Sequence, residues 1–195
     1  MNYDYIINPF ESITYGFLKG NRRIVFIKVG LGSGVMGYDN KYLIMAHRMH
    51  TKYGCSVIVA SNPNDGKRHT DEDKAVIEQF VASYRLSPPE MLFFGHSNGG
   101  IKGLELSAAG IGFSKMVLVN MPLMINYHRT KKYISDIPKT QITAVYGETD
   151  PSFSYIPFLK DRFDNLKLLT VGGADHNFKG MLNEFIDLSE LLFEN

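Results

Sequence analysis

Six continuous apolar runs, separated by amphipathic stretches, constrain this chain more than any other feature of its sequence. Runs of this kind are typical of strands buried on both faces, as in a parallel sheet covered by helices. Their alternation with helical patterns predicts an α/β protein with a largely parallel sheet. The predicted strands are Ile24 to Val29, Ser56 to Ala60, Met91 to Phe94, Met116 to Asn120, Ile142 to Tyr146 and Leu166 to Val171.

The remaining segments complete the predicted order of elements. Two β-prone segments, Tyr3 to Asn8 and Ser12 to Phe17, come first and predict a hairpin whose strands are separated at Asn8-Pro9. Helices are predicted where apolar side chains recur at helical spacing, and one of them begins at the capping and acidic run Thr70-Asp71-Glu72-Asp73. The predicted helices are Asn40 to Tyr53, Asp71 to Tyr84, Ser97 to Ala109, a weaker Tyr155 to Phe163, and Gly180 to Phe193.

Composition favours a single domain over residues 1–195, because 44% of the residues are hydrophobic and supply one sizeable core. The formal net charge is +1, so there is no general electrostatic reason to expect nucleic acid or an anionic membrane as a partner. No secretory signal or membrane-spanning run is expected from the hydropathy pattern. The only cysteine, Cys55, rules out an intrachain disulfide, and we expect a soluble, cytoplasmic protein.

The pentapeptide Gly95-His96-Ser97-Asn98-Gly99 lies between an apolar run and a predicted helix. In this context Gly-x-Ser-x-Gly is typical of a nucleophile elbow, in which a strained serine is presented above the sheet. Glycines are needed because a Cβ two residues before or after the serine would collide with neighbouring elements. The Asn98 N–H lies at the start of the helix, where negative charge is favoured. The motif predicts Ser97 as a nucleophile and Asn98 as a donor to an oxyanion.

Two later motifs follow two later strands. Gly147-Glu148-Thr149-Asp150-Pro151 ends one apolar run, and Asp175-His176 follows the next. Ligands of open α/β sheets bind at the carboxyl ends of the strands, so these residues are expected near Ser97. A serine hydroxyl needs a base to remove its proton, and imidazole, with an unperturbed pKa of about 6.5, suits that task. The motifs therefore predict a serine, a histidine and a carboxylate at one edge of the sheet.

Through these motifs, and the order in which they occur, the chain resembles the α/β-hydrolase family over nearly its whole length. The resemblance implies a three-layer α/β-hydrolase fold, with a mostly parallel central sheet, an N-terminal hairpin and helices on both faces. It implies Ser97 as nucleophile, His176 as base and Asp150 as the acid that orients the histidine. Glu148 and Asp175 remain alternatives for the acid. The implied activity is cleavage of a small acyl ester or thioester without a cofactor.

The resemblance also points to the second donor of an oxyanion hole. The stretch Val29 to Gly34 is rich in glycine, and the family position corresponds to the Leu31 N–H. Gly30 and Gly32 are predicted to border the substrate. Many family members carry His-Gly where this chain has Val29-Gly30. The family pattern therefore does not indicate which residues hold this loop in place.

The same stretch contains a weak match to a dinucleotide-binding motif. Gly32-Ser33-Gly34-Val35-Met36-Gly37 has Gly-x-Gly-x-x-Gly spacing, but the next strand ends in Ala60-Ser61-Asn62, without the acidic residue that a ribose requires. We therefore expect no dinucleotide. No group of Cys, His and Asp residues has zinc-ligand spacing, so no metal is expected.

The segment Met121 to Thr140 is too short for more than a rudimentary lid, about residues 121–140, where many family members carry a large one. An open site favours a small soluble substrate. Met121 and Met124 are predicted to form an adaptable wall for the acyl group, although packing on the sheet edge explains them equally well. A different class of function also remains open, namely a hydrolase-like ligand-binding module or sensor with little turnover.

Overall fold

The protein folds around one eight-stranded sheet, seen in a computed structural model that describes residues 1–10, 12–82 and 89–194. The strand order is β1-β2-β4-β3-β5-β6-β7-β8. Strands β3 to β8 are parallel to one another, and the β1–β2 hairpin joins this sheet through antiparallel pairing of β2 with β4. The strands are β1 (Tyr5–Phe10), β2 (Ile13–Leu18), β3 (Asn21–Lys28), β4 (Cys55–Ala60), β5 (Glu90–His96), β6 (Phe113–Val119), β7 (Gln141–Gly147) and β8 (Leu166–Val171).

Helices cover both faces of the sheet. Apolar residues alternate along each strand, so that Phe26 of β3 joins one core and Ile27 joins the other. Helices α2, α3 and α4 contribute to the first core, and α1 and α5 contribute to the second. The helices are α1 (Lys41–Tyr53), α2 (Thr70–Ala82), α3 (Asn98–Ala108), α4 (Leu123–Asp136) and α5 (Leu182–Asp187), with 3-10 turns at Tyr38–Asn40, Phe153–Phe158 and Leu188–Leu192.

The fold matches the predicted order of elements closely. All six predicted parallel strands are present, and so is the hairpin. The break predicted at Asn8-Pro9 is wrong, because β1 continues to Phe10 and only its register shifts after Ile7. A proline removes one N–H donor, which an edge strand with an irregular register can accommodate.

One helix was not predicted, and two helical predictions differ in detail from the structure. The segment 121–140 contains α4, which connects the parallel strands β6 and β7. The weaker predicted helix is a 3-10 turn, Phe153–Phe158, and it contains Pro157, which cannot donate a helical hydrogen bond. The last predicted helix is divided into α5 and a 3-10 turn. Tyr84, the predicted end of the second helix, lies outside the described residues.

A buried ion pair joins α2 to the sheet. Lys28 Nζ lies 2.9 Å from Asp73 Oδ1 and 2.8 Å from the carbonyl oxygen of Ser61. The Tyr15 hydroxyl donates to the same Asp73 oxygen at 3.0 Å. Both charged side chains are fully shielded from solvent. The pair therefore links β2, β3 and α2 within the apolar core.

No helix in the described part of the chain combines the length and the apolar character needed to cross a membrane. The parallel register instead determines where polar groups gather. Gly95 of β5 pairs with Lys28 of β3 and with Leu118 of β6, so the three strands end at a common edge. The loops after β3, β5, β6, β7 and β8 all leave the sheet at this edge.

Candidate active site

Ser97 lies in a tight turn between β5 and α3, with φ 55° and ψ −128°. This conformation is costly for a residue with a side chain. The flanking glycines are required by close packing. A Cβ on Gly99 would lie 2.1 Å from the Lys28 carbonyl oxygen, and a Cβ on Gly95 would lie 2.7 Å from the Gly100 Cα. The turn therefore has the geometry expected of a nucleophile elbow.

Three predicted side chains form a continuous hydrogen-bonded path. His176 Nε2 lies 2.8 Å from the Ser97 Oγ, and His176 Nδ1 lies 2.5 Å from Asp150 Oδ2. The Asp150 carboxylate accepts a hydrogen bond from the Nδ1–H group of His176. In the neutral imidazole Nε2 is then the acceptor, and it faces the serine hydroxyl. Asp150 is only 4% exposed, whereas the imidazole is partly open to solvent. This is the geometry of a nucleophile, a base and an orienting acid.

The structure brings Asp150, rather than either alternative, to the imidazole. The second Asp150 oxygen, Oδ1, accepts from the Ser152 N–H at 2.7 Å, which fixes the carboxylate plane. Glu148 instead accepts from the Gly173 N–H at 3.0 Å. Asp175 Oδ1 accepts from the N–H groups of Asn177 and Lys179, both at 2.9 Å. Both competing carboxylates thus stabilise local turns.

The two predicted oxyanion donors are backbone N–H groups without an acceptor. Within the described ranges, neither the Leu31 N–H nor the Asn98 N–H donates to a protein group. Asn62 connects the two segments that carry them. Its Nδ2 donates to the Val29 carbonyl at 3.0 Å and to Asn98 Oδ1 at 3.3 Å, and its own carbonyl accepts from the Gly32 N–H at 2.7 Å. Asn62 therefore provides the support for this loop that the family pattern leaves open.

His96 and Tyr42 form a second, buried connection behind the nucleophile. The Tyr42 hydroxyl lies 2.9 Å from His96 Nδ1 and accepts from the Gly30 N–H at 3.3 Å. His96 Nε2 lies 2.9 Å from the His176 carbonyl oxygen. Because a carbonyl can only accept, Nε2 carries the proton and Nδ1 accepts from Tyr42. Burial lowers the pKa of His96 to about 3, so this tautomer is neutral.

Asn120, at the end of β6, holds the loop that carries the predicted base. Its Nδ2 donates to the carbonyls of Asp175 and His176 at 3.1 and 3.0 Å. Its Oδ1 accepts from the Gly147 N–H at 2.8 Å. Sequence reasoning missed the roles of Asn62, Tyr42 and Asn120. For the two asparagines a signal exists, because each follows an apolar strand at the edge where the site lies.

A cavity of about 540 Å³ opens beside the predicted nucleophile. Gly30, predicted to border the substrate, and Leu31, predicted as an oxyanion donor, lie in its wall together with Ser97 and His176. Gly32 lies outside the wall and takes a positive φ of 77° instead. The cavity is also lined by Ser33, Tyr38, Lys41, His96, Asp175, Asn177 and Lys179.

The two methionines predicted to form an acyl wall do not reach this cavity. Met121 is 0% exposed and packs where Gly100 lacks a Cβ, with its Cγ 2.6 Å from the position such an atom would take. Met124 is 55% exposed and borders a separate cavity beside Tyr127 and Phe158. The packing alternative therefore describes Met121, and the wall of the site comes from other residues.

The described residues contain no cluster of three or more His, Cys, Asp or Glu side chains placed to hold a metal ion. The groups that meet at the cavity are a hydroxyl, an imidazole, a buried carboxylate and free backbone N–H donors. Together they are suited to attack on an acyl carbon and to stabilisation of the oxyanion that results.

Solved structures share this architecture, although no protein-family model and no curated protein sequence matches the chain. Est1E from Butyrivibrio proteoclasticus is similar with a TM-score of 0.75 and 13% identity, over 97% of both chains. An alpha-beta serine hydrolase homologue from Coxiella burnetii has a TM-score of 0.72 and 15% identity, over 96% of this chain and 95% of that one.

S-formylglutathione hydrolase from Staphylococcus aureus has a TM-score of 0.67 and 13% identity, over 93% of this chain and 90% of that one. The similarity extends across nearly the whole chain in each case. It includes the eight-stranded, mostly parallel sheet with helices on both faces. From the strand order, the elbow and these likenesses we conclude that this chain has the α/β-hydrolase fold.

Proposed function

We propose that this protein is a serine hydrolase that cleaves a small carboxylic ester or thioester. The observation that carries the proposal is the hydrogen-bonded path from Ser97 through His176 to Asp150 at the cavity wall. A serine hydroxyl is a weak nucleophile unless a base is within hydrogen-bond reach, and this path supplies the base and its orienting acid. Two of the similar structures are described as a serine hydrolase homologue and a hydrolase, which agrees with this chemistry.

The first half-reaction forms an acyl-enzyme. Ser97 Oγ attacks the carbonyl carbon of the substrate while His176 Nε2 takes the hydroxyl proton. The carbonyl oxygen becomes an oxyanion, which the N–H groups of Leu31 and Asn98 stabilise. Asp150 stabilises the imidazolium. When the intermediate collapses, the bond to the leaving group breaks and His176 returns the proton to the departing alkoxide or thiolate.

The second half-reaction uses water. His176 removes a proton from a water molecule, whose oxygen attacks the acyl carbon and forms a second oxyanion in the same place. Collapse releases the carboxylic acid, and the proton returns to Ser97 Oγ. No step requires a cofactor. We also propose a cytoplasmic location, in which the buried thiol of Cys55 stays reduced.

Labelling with a fluorophosphonate, followed by peptide mass spectrometry, tests the nucleophile directly. We expect a single adduct on Ser97. We also expect Ser97→Ala to lower kcat for 4-nitrophenyl acetate by at least about 10³-fold, since loss of a triad nucleophile removes most of the rate enhancement. Ser135→Ala, on the outer part of α4, is a matched control that retains both labelling and turnover.

Two outcomes contradict the proposal. One is turnover in Ser97→Ala equal to that of the unaltered protein. The other is a folded, unaltered protein that neither reacts with the fluorophosphonate nor cleaves the ester. The second result favours the alternative of a ligand-binding module, which predicts that ligand binding survives Ser97→Ala.

A further inference from the structure

Lys41 is a buried cation in the wall of the candidate active site. It is the first residue of α1, and it lines the same cavity as Ser97 and His176. Only 6% of the residue is exposed, although lysine is among the residues least often buried. The mechanism described above does not use it.

The Lys41 ammonium group has no conventional partner. Within the described ranges it makes no hydrogen bond and has no carboxylate within ion-pair distance, whereas Lys28, Lys52 and Lys102 have carboxylates at 2.7, 2.7 and 3.2 Å. Its neighbours are aromatic faces, with Nζ 4.3 Å from the Phe185 ring centroid and 5.2 Å from that of Tyr42. An aromatic face attracts a cation, but it does not replace an oxygen atom as a hydrogen-bond acceptor for the three N–H groups of the ammonium.

The stability of α1 does not explain this lysine. A cation at the first position of a helix faces the positive end of the helix dipole, which disfavours it. A buried ammonium that forms no ion pair is also unfavourable, and the Asp175 carboxylate offsets this cost only in part, since the pKa of Lys41 is still lowered. A buried lysine at this position therefore lowers the stability of the fold, and a functional role at the cavity explains why it is there.

The charged groups around the cavity leave the Lys41 ammonium available to bind an anionic ligand. Asp175 is the acidic residue in the wall, and its Oδ1 is already engaged by two backbone N–H groups. Lys179 adds a second cation at the exposed rim. With His96 held neutral, the fixed charges of the wall are two cations and one anion.

We propose that Lys41 is a specificity-determining residue that binds a carboxylate carried by the ester substrate. This inference rests on the proposed hydrolase function and narrows its substrate class to esters or thioesters with a free carboxylate. The anion provides the oxygen acceptors that the ammonium lacks, next to a buried side chain, where a charge-assisted hydrogen bond is strong.

The preference for an anionic substrate is expected to depend on pH. Burial lowers the pKa of Lys41 to about 8, and the Asp175 carboxylate acts in the opposite direction. The ammonium is therefore present below about pH 8, and the preference is lost as the pH rises through this value. The other titratable groups that line the same space or pack on Lys41 are Tyr38, Tyr42, His96, His176 and Lys179.

Matched pairs of esters test the proposal, because the carboxylate can lie on either side of the scissile bond. One pair is the 4-nitrophenyl half ester of adipate and its neutral methyl ester. The other is 4-acetoxybenzoate and methyl 4-acetoxybenzoate. At pH 7 we expect kcat/KM to favour the anionic member of at least one pair by about tenfold or more, and Lys41→Met to abolish this preference.

Two further variants separate charge from packing. Lys41→Arg keeps the charge, and we expect it to retain a preference that Lys41→Met loses. Lys179→Met removes an exposed cation from the rim, and we expect it to change the preference by less than about threefold because solvent screens that charge. Equal ratios for the unaltered protein and Lys41→Met in both pairs overturn the proposal.

A binding measurement keeps this test separate from the test of catalysis. In the Ser97→Ala background, calorimetric titration with adipate and with 4-hydroxybenzoate measures anion binding without turnover. We expect Lys41→Met to raise the Kd of at least one of them by about tenfold. Unchanged values for both acids overturn the inference even if ester cleavage is observed. Weakened binding in a protein without turnover supports the anion site and rejects only the hydrolase.

Discussion

Single residues behind the candidate catalytic path from Ser97 through His176 to Asp150 hold it in position. Tyr42, His96, Asn62 and Asn120 are not members of that path, yet their hydrogen bonds connect the segments that follow strands β3 to β8. Each of them is buried. A buried donor or acceptor that loses its partner costs about 1–3 kcal/mol, so these residues affect both stability and alignment.

Tyr42→Phe tests the link between the oxyanion loop and the elbow. The change leaves the Gly30 N–H and His96 Nδ1 without partners, and we expect the free energy of unfolding to fall by about 2 kcal/mol or more. We also expect kcat for a neutral ester to fall about tenfold, because the loop that carries the Leu31 N–H is less well positioned. Urea unfolding and steady-state kinetics measure the two effects.

Tyr127→Phe is the matched control for this variant. It removes a hydroxyl that donates to the Phe158 carbonyl at 3.0 Å near the surface, where water replaces the lost partner. We expect a change in unfolding free energy of less than about 1 kcal/mol and no change in kcat. If the two variants behave alike, Tyr42 does not have the positioning role described here.

The sequence predicts the candidate catalytic residues better than the residues that support them. A serine between glycines, and a carboxylate and a histidine after later strands, carry local patterns that can be recognised. Tyr42 lies in a helix far from the motif in sequence, and nothing in its neighbours indicates that its hydroxyl reaches His96. Met121 could not be assigned from the sequence, because an apolar residue at this position fits a pocket wall and a core equally well. Its burial in the structure distinguishes the two.

At the scale of elements, the buried pair of Lys28 and Asp73 ties α2 to the sheet. We expect Lys28→Met to lower the free energy of unfolding by about 3–5 kcal/mol, because it leaves the Asp73 carboxylate buried without a counter-charge. The double variant Lys28→Met, Asp73→Leu removes both charges, and we expect it to be more stable than the single variant. Chemical unfolding followed by circular dichroism measures both.

Arg23→Met provides the control for a charge at the surface. Arg23 and Glu90 form an ion pair in which both side chains are more than two-fifths exposed. We expect this change to cost less than about 1 kcal/mol. A double variant that is no more stable than Lys28→Met contradicts the explanation from an unpaired charge.

Strand positions were predictable because strands buried on both faces are continuous apolar runs. Their order across the sheet was not, since nothing within the runs of β3 and β4 specifies that β3 lies between β4 and β5. Helix α4 was also missed as a helix, because its segment was interpreted only as a possible lid. The close packing at Gly99 explains why the turn at Ser97 needs a glycine there. The atom it packs against is the Lys28 carbonyl oxygen, which lies outside the sequence motif.

For the molecule as a whole, the sheet separates two tasks. Helices on its faces bury two apolar cores, while the edge formed by the carboxyl ends of the strands carries the polar groups. The candidate site can therefore be polar, strained and open without interrupting either core. This division also explains why the fold is retained at sequence identities of 13–15% with the similar structures.

The backbone of Ser97 has a further consequence for evolution in the laboratory. At φ 55° and ψ −128° a glycine relieves strain, whereas alanine keeps it. We expect Ser97→Gly to exceed Ser97→Ala in free energy of unfolding by about 0.5–2 kcal/mol, measured in urea. A glycine variant less stable than the alanine variant contradicts this. A population selected for heat resistance alone is then expected to discard the hydroxyl, so only a selection that also rewards turnover keeps a serine at position 97.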